Sequence, residues 1–244
     1  MLLDLDTTQT ILIGLIFLWS GFVRSGLGFG GAALALPLML FIDNQPLIWL
    51  PIIGIHLLLF TSITLRTRIG NVDWDYLKRS SIYIIPAALV GVFGLLNLPT
   101  RWLNIFIYSV TLFYAVIWVM NWAIHSHNRW VDRFLLIMGG YVAGTSLTGA
   151  PLMVAVYMRY VSKAQLRDTL FVLWFTLVTI KMTTFAAFGV DLQIIAALTL
   201  LPIALVGHVI GLKTHEAIIR NDHHFKRFIS LGLMVVSAIG LYRL

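Results

Sequence analysis

The chain has 244 residues, of which 59% are apolar and only 11% carry a charge, and its mean hydropathy is +0.92. Ordinary globular domains are roughly 45–50% apolar and about 25% charged, so a soluble fold of this size would lack the polar side chains to cover its surface. The composition therefore predicts a polytopic membrane protein. The formal net charge of +7 comes from Lys and Arg in short loops between apolar segments, as in membrane proteins, and does not predict a nucleic-acid surface.

Eight apolar stretches follow one another along the chain, and each is predicted to be helical. Six have the length of one bilayer crossing, which needs roughly 20 residues: 46–65, 79–97, 102–122, 168–188, 192–212 and 226–243. The other two, 9–41 and 133–160, are too long for one crossing and have glycines near their middles. Each of these two is predicted to be a pair of shorter helices joined at a glycine break.

Three short motifs occur twice, in the same order and at nearly the same spacing. The matched segments are 21–30 with 140–149, 70–73 with 189–191, and 86–91 with 202–207, at offsets between 116 and 119 residues. Any one match could arise by chance in a membrane protein rich in Leu, Val and Gly, but a series in one order at nearly one offset is the signature of an internal repeat. The sequence therefore predicts two repeats, 1–125 and 126–244, within one membrane domain.

The basic residues predict how the repeats are oriented. If each glycine-rich stretch dips into the membrane and returns, each half contains one dip and three crossings, and nearly all basic loops fall on one face, as the positive-inside rule expects. An odd number of crossings inverts the second half. Eight plain crossings would give parallel repeats and basic loops on both faces. We therefore predict an all-α membrane fold of two inverted repeats, each a broken, re-entrant helical hairpin followed by three transmembrane helices.

The two glycine breaks are the predicted binding site. Irregular backbone at membrane depth is tolerated only where protein buries it or a water-filled cavity borders it, and paired breaks in two repeats are typical of a transporter site. A break leaves N–H groups at the start of its second helix, where partial positive charge attracts an anion. The predicted site residues are Arg24, Ser25, Gly26, Gly28 and Gly30 in the first break, and Gly144, Thr145, Ser146, Thr148 and Gly149 in the second.

Each of these residue types has a second interpretation. Arg24 is a permanent cation in an apolar stretch, which is unfavourable unless it serves a ligand or a partner; snorkelling or pairing with a helix end are the alternatives. The hydroxyls can donate to an oxyanion or to the carbonyl four residues earlier, and the glycines can serve close helix packing. His56, in the middle of its segment, can bind the anion or carry a proton.

Other ionisable groups lie inside apolar stretches. Lys181 is nearer the far end of its segment and is expected to snorkel to the interface, and His208 is expected to be a hydrogen-bonded core histidine. The chain has no cysteine, no zinc motif and no Ser/Lys or Asp/Asp pair at helical spacing. We therefore expect neither an enzyme nor a metal or cofactor.

The glycine and proline patterns resemble the sulfite exporter TauE/SafE family. The resemblance rests on 26–38 (GLGFGGAALALPL) and on its counterpart 139–157 (GGYVAGTSLTGAPLMVAVY), and it extends over essentially the whole chain. It implies a carrier of small sulfur-containing anions, such as sulfite, sulfoacetate or other organosulfonates, in the cell inner (plasma) membrane. Many members have Gly-Pro-Pro where this chain has Gly149-Ala150-Pro151. This difference leaves the implied fold intact, but it weakens the inference from the substrates of other members to the substrate of this chain.

Together these features predict a secondary carrier that holds its anion between the two breaks. Backbone N–H groups and hydroxyls would hold the substrate, Arg24 and His56 would supply positive charge, and rocking of the repeats would give alternating access. An anion channel is the alternative. The expected partners are the small anion and the lipid bilayer. Proton coupling through His56 and a homodimer are left open, as are the particular anion and the direction of transport.

Overall fold

The computed structural model describes residues 6–27, 31–122, 128–220 and 222–244, and these residues form helices joined by short turns, with no strand among them. The side chains of 27, 215–220, 222–226 and 228 are not described. The helices are α1 (Thr7–Leu27), α2 (Gly31–Ile42), α3 (Pro46–Leu65), α4 (Trp74–Asn97), α5 (Thr100–Val119), α6 (Arg129–Ser146), α7 (Ala150–Tyr160), α8 (Lys163–Ala187), α9 (Ile194–Arg220) and α10 (Asp222–Tyr242). A short 3-10 helix, Ile69–Asn71, precedes α4. The predicted all-α fold is confirmed.

Within the described residues, several helices are long and apolar enough to cross a membrane. They are Thr7–Gly26, Pro46–Leu65, Trp74–Asn97, Thr100–Val119, Lys163–Ala187 and Ile194–Thr214, and shorter apolar helices occupy Gly31–Ile42 and Ile229–Tyr242. The prediction of a multi-pass membrane protein is confirmed. Thr7–Gly26 has the length of a full crossing, whereas the sequence pattern predicted one arm of a re-entrant hairpin. The re-entrant course and the inversion of the halves stay predictions.

Both overlong apolar stretches consist of two helices. The chain leaves α1 at Leu27 and enters α2 at Gly31, and the residues between them lie outside the described ranges. Between α6 and α7 the residue that turns the chain is Leu147, with φ 60° and ψ 15°. This left-handed conformation is one that glycine adopts more readily than leucine. Pro151 then lies in the first turn of α7, where its missing N–H is not needed for helical hydrogen bonding.

The helices form two compact units. The first consists of Met1–Ile52, Pro99–Trp122 and Gln193–Leu244, and the second of Ile53–Leu98 and Ala123–Leu192. In the first unit, α1 packs against α2 and α9, while α5 and α2 both pack against α10. In the second unit, α4 packs against α6 and α8, and α7 packs against α6 and α8. Each unit therefore takes helices from both predicted halves, whose identity as repeats stays a prediction.

The outer faces of the helices carry large apolar side chains. Ile11 is 59% exposed, Ile82 is 71% exposed and Ile195 is 83% exposed. In a soluble protein such side chains would be an aggregation hazard, whereas on a membrane helix they face lipid. The interior of the first unit contains a cluster in which Val23 and Leu34, on the two helices next to the first break, are almost fully buried.

Candidate functional site

Arg24 lies in the last turn of α1 and is only 8% exposed. At this end of a helix the unpaired carbonyls carry partial negative charge, which favours a cation. Gly31 opens α2 directly against this turn, because a Cβ placed on Gly31 would lie 2.9 Å from the Cβ of Arg24 and 3.0 Å from the carbonyl oxygen of Ser20. The close approach encloses the stem of Arg24 between two helices. Arg24 is therefore held inside the first unit and does not extend along its surface.

Ser25 is engaged by the protein through two contacts. Its hydroxyl donates to the carbonyl of Gly21 at 3.1 Å, and its Oγ is in a short contact with Nδ1 of His208 on α9. A hydroxyl has one proton, so when that proton goes to Gly21 the histidine must donate from Nδ1. His208 is thus hydrogen-bonded as expected, although it is only partly buried. Gly26 is also buried, whereas the predicted site residues Gly28 and Gly30 lie outside the described residues.

The hydroxyl residues of the second break, Thr145, Ser146 and Thr148, are each at most 1% exposed. Thr145 donates to the carbonyl of Tyr141 at 2.9 Å, with the Gly91 carbonyl at 3.3 Å, and Ser146 donates to the carbonyl of Val142 at 3.0 Å.

The oxygens of Ser146 and Thr148 lie 2.6 Å apart. Because the single proton of Ser146 goes to Val142, Thr148 donates to Ser146. In this state all three protons are taken up by the protein, so an anion would have to displace at least one of these bonds.

Gly144 and Gly149 allow backbones to approach closely. A Cβ placed on Gly144 would lie 2.1 Å from the carbonyl oxygen of Ala88 on α4, and one on Gly149 would lie 1.9 Å from the carbonyl oxygen of Gly139 on α6. Neither distance is compatible with a side chain. The packing role that the sequence left open therefore applies to both glycines. Their contact with an anion stays a prediction.

His56 is buried in the part of α3 that belongs to the second unit. Its side chain is 2% exposed, and the edge of its ring meets the ring of Phe60 with centroids 6.2 Å apart. The structure groups His56 with Thr145 and the other second-break residues in the second unit, and it places Arg24 and Ser25 in the first unit.

Lys181 is a buried cation that was not among the predicted site residues. It is 1% exposed, so the expectation that it snorkels to the interface is wrong. It lies on the face of α8 that also buries Leu177, Val178, Met182 and Phe185. This spacing is helical and was available in the sequence, but α8 is apolar on nearly all sides and the pattern does not stand out.

Two buried carboxylates, which the sequence pattern did not indicate, lie in the second unit. Asp132 at the start of α6 accepts from Arg159 Nη1 at 2.9 Å and from the Tyr160 hydroxyl at 2.5 Å, and this hydrogen bond raises the pKa of Tyr160. Asp168 near the start of α8 is 2% exposed and accepts from Asn71 Nδ2 at 2.7 Å. Both residues lie near the ends of apolar stretches, where a hydropathy pattern assigns an acidic residue to a loop.

The comparison with known families covers nearly the whole chain. A family model described as "Sulfite exporter TauE/SafE" matches residues 12–241, from within α1 to within α10. No curated protein and no solved structure gives a significant match. Both helix breaks, the whole second unit and all but the ends of the first unit fall inside the matched range. The chain therefore belongs to the sulfite exporter TauE/SafE family of membrane transporters.

Proposed function

We propose that this protein is a secondary carrier of small sulfur-containing anions, such as sulfite, sulfoacetate or other organosulfonates, in the inner (plasma) membrane. Family membership supports transport of an anion and not an enzymatic reaction. The proposal assigns substrate binding to the residues of the two breaks, and movement of the substrate to alternating access by inverted repeats.

The observation that carries the anion proposal is the burial of Arg24. A guanidinium keeps its charge under all physiological conditions, and enclosing it in a helix of membrane-spanning length is unfavourable unless negative charge compensates it. The carbonyl end of α1 supplies part of that compensation. An anionic substrate that binds transiently would supply more, and this is the role that we assign to Arg24.

The second break offers donors of a different kind. The N-cap of α7 is Gly149, which makes no side-chain cap. The first-turn N–H groups of α7 are therefore not satisfied by a capping side chain, and such groups are suited to an oxyanion. A modest rotation of the Thr148 hydroxyl away from Ser146 would add a further donor.

Matching contacts support the two-repeat part of the proposal. In the first unit, Gly207 of α9 packs on the backbone of Leu18 in α1. In the second unit, Gly91 of α4 packs on the backbone of Tyr141 in α6. Gly91 and Gly207 are the ends of the repeated PAALVG and PIALVG motifs, so the same motif makes the same kind of contact twice.

The test is uptake of labelled sulfite and sulfoacetate into proteoliposomes containing the purified protein. Arg24→Ala and Thr145→Ala should each lower uptake at least about tenfold, the effect of losing one charge-assisted hydrogen bond or a buried donor. Arg101→Ala and Thr199→Ala are matched controls, because both residues are exposed and the Thr199 hydroxyl also bonds the carbonyl four residues earlier. Unchanged uptake in both site variants would overturn the site assignment.

The same vesicles separate a carrier from a channel. A carrier shows saturation and counterflow, in which unlabelled anion inside accelerates entry of labelled anion, whereas a channel shows neither. Uptake with and without a pH gradient, repeated with His56→Gln, tests proton coupling. Absence of uptake of every sulfur anion by the unsubstituted protein would refute the substrate class itself.

A further inference from the structure

Lys181 is a cation that the proposed function does not yet use, and it is enclosed in the second unit. Its side chain is 1% exposed. On the opposite side of the same helix, Thr179 and Thr183 are exposed. The ammonium therefore points into protein and cannot reach water along the surface of α8, as a snorkelling lysine would.

Two buried donors on α8 lack an acceptor within the described part of the chain. The Nζ of Lys181 has no hydrogen-bond partner there, and neither has the buried indole Nε1 of Trp174. Trp174 precedes Lys181 by two helical turns, or about 10 Å along the axis, so both lie on one face of α8. Lysine side chains in a helix lean toward its N-terminus, which is toward Trp174. The ring of Phe185, one turn toward the C-terminus of α8, has its centroid 6.0 Å from Nζ.

Side-chain contacts join this part of α8 to α3. A Cβ placed on Gly54 would lie 2.6 Å from the sulfur of Met182, the residue after Lys181. Gly54 thus leaves room for the Met182 thioether beside α3 at the level of the lysine. His56 follows Gly54 by two positions, which is about 200° around the helix, so it projects from another face of α3.

We propose that Lys181 is a substrate-contact residue, and that its ammonium and the indole N–H of Trp174 bind the oxygens of the transported oxyanion. The proposal rests on the anion-carrier function. Two buried donors that lack an acceptor are complementary to a group with several acceptor oxygens, such as a sulfonate or hydrogen sulfite. A structural lysine would be expected to have a carboxylate or carbonyl partner, because an uncompensated buried ammonium destabilises the fold.

The test uses purified full-length protein in detergent, with sodium methanesulfonate and sodium sulfite as probes and sodium gluconate at equal ionic strength as the reference. Thermal unfolding and proteoliposome uptake are both measured. Lys181→Met keeps the length of the side chain and removes the charge. It should unfold at an equal or higher temperature without anion, lose the anion-induced rise in Tm, and weaken apparent affinity by about tenfold or more. Lys163→Met removes an exposed lysine from the same helix and should change neither measurement.

Trp174→Phe keeps the ring and removes one N–H, and it serves as the second variant if Lys181→Met does not fold. Loss of the anion-induced rise in Tm in either variant, with Lys163→Met unchanged, supports the assignment. The assignment of Lys181 is overturned if Lys181→Met keeps both the anion-induced rise in Tm and normal uptake. If Lys181→Met does not fold, the same result in Trp174→Phe overturns it. In either case the proposal of an anion carrier stands. If the unsubstituted protein neither binds nor transports either probe, the carrier proposal fails and the role of Lys181 fails with it.

Discussion

Gly91 on α4 allows a direct test of whether the repeated glycines serve helix packing or ligand binding. A Cβ on Gly91 would lie 2.3 Å from the carbonyl oxygen of Tyr141 and 2.9 Å from the nitrogen of Thr145, both in the backbone of α6. An ordinary contact is at least 3.4 Å, so Gly91→Ala must separate the two helices by roughly an ångström. Overpacking of this kind costs about 1–3 kcal/mol, and the higher helix propensity of alanine returns about 0.5–1 kcal/mol.

We therefore expect Gly91→Ala to lower the free energy of unfolding by about 1–2 kcal/mol. Gly94 lies one turn later on α4, and a Cβ there would be no closer than 3.8 Å to its neighbours. Gly94→Ala should accordingly be neutral or slightly stabilising. The measurement is SDS-induced unfolding in detergent micelles, followed by tryptophan fluorescence. If Gly91→Ala is as stable as Gly94→Ala but binds anion more weakly, the glycine faces the ligand and the packing explanation is wrong.

Other predictions concern the polar network at the ends of α4, α6 and α7. Asp132→Asn should destabilise the protein by about 1–2 kcal/mol, less at high salt, because Arg159 loses a charged partner while remaining partly exposed. Ser80→Ala should cost about 1–2 kcal/mol, because the buried Tyr157 hydroxyl loses a hydrogen bond of 2.6 Å. The hydrogen bond to Asp132 raises the pKa of Tyr160. The stability that this hydrogen bond contributes is therefore present below the ordinary phenol pKa of about 10, and it is lost as the pH rises through the raised pKa. Tyr160→Phe should remove this alkaline component from the pH dependence of unfolding.

The sequence predicted the bounds of a helix well where the helix ends at the same residue as its apolar stretch. Residues 46–65 were predicted as a crossing, and α3 is Pro46–Leu65. Helix α4 begins at Trp74 and not at 79, because the side chain of Asp73 accepts from the N–H of Tyr76 and caps the helix. Its first turns bury Leu77 and expose Lys78. A hydropathy pattern ends where charges begin, whereas the helix continues as long as one face remains buried.

The chemistry of the site was predictable only in part, because the deciding contacts are made between distant segments. A serine or threonine in a helix always has the carbonyl four residues earlier within reach, as the bond from Thr145 to Tyr141 shows. Sequence alone cannot tell whether a ligand competes for the same proton. Lys181 was misjudged for a related reason: its distance from the end of the segment was used, whereas burial depends on the face of α8 on which it lies.

The glycine contacts lead to a prediction about the two halves of the chain. Gly21 of α1 packs against α9: a Cβ placed on Gly21 would lie 2.1 Å from the carbonyl oxygen of Ala204. Gly140 of α6 packs against α4 in the same way, with a placed Cβ 2.5 Å from the carbonyl oxygen of Ile84. Each of these contacts joins a helix from the predicted first half to one from the second, and each lies within a single compact unit. A half expressed alone therefore lacks a packing partner in both units.

We expect 1–125 and 126–244, produced as separate chains, to be degraded or to aggregate when expressed individually and to be recovered as a complex when expressed together. The measurement is co-purification through an affinity tag on one half, followed by size-exclusion chromatography. Gly21→Leu in the first fragment should abolish recovery of the complex, because a large side chain cannot be accommodated against the backbone of α9. Gly14→Leu is the control, since a Cβ at Gly14 would make only an ordinary contact of 3.6 Å with a side chain of α9. Stable recovery of either half by itself would show that the halves fold independently. Packing of helices from both halves within each compact unit would then not be required for folding.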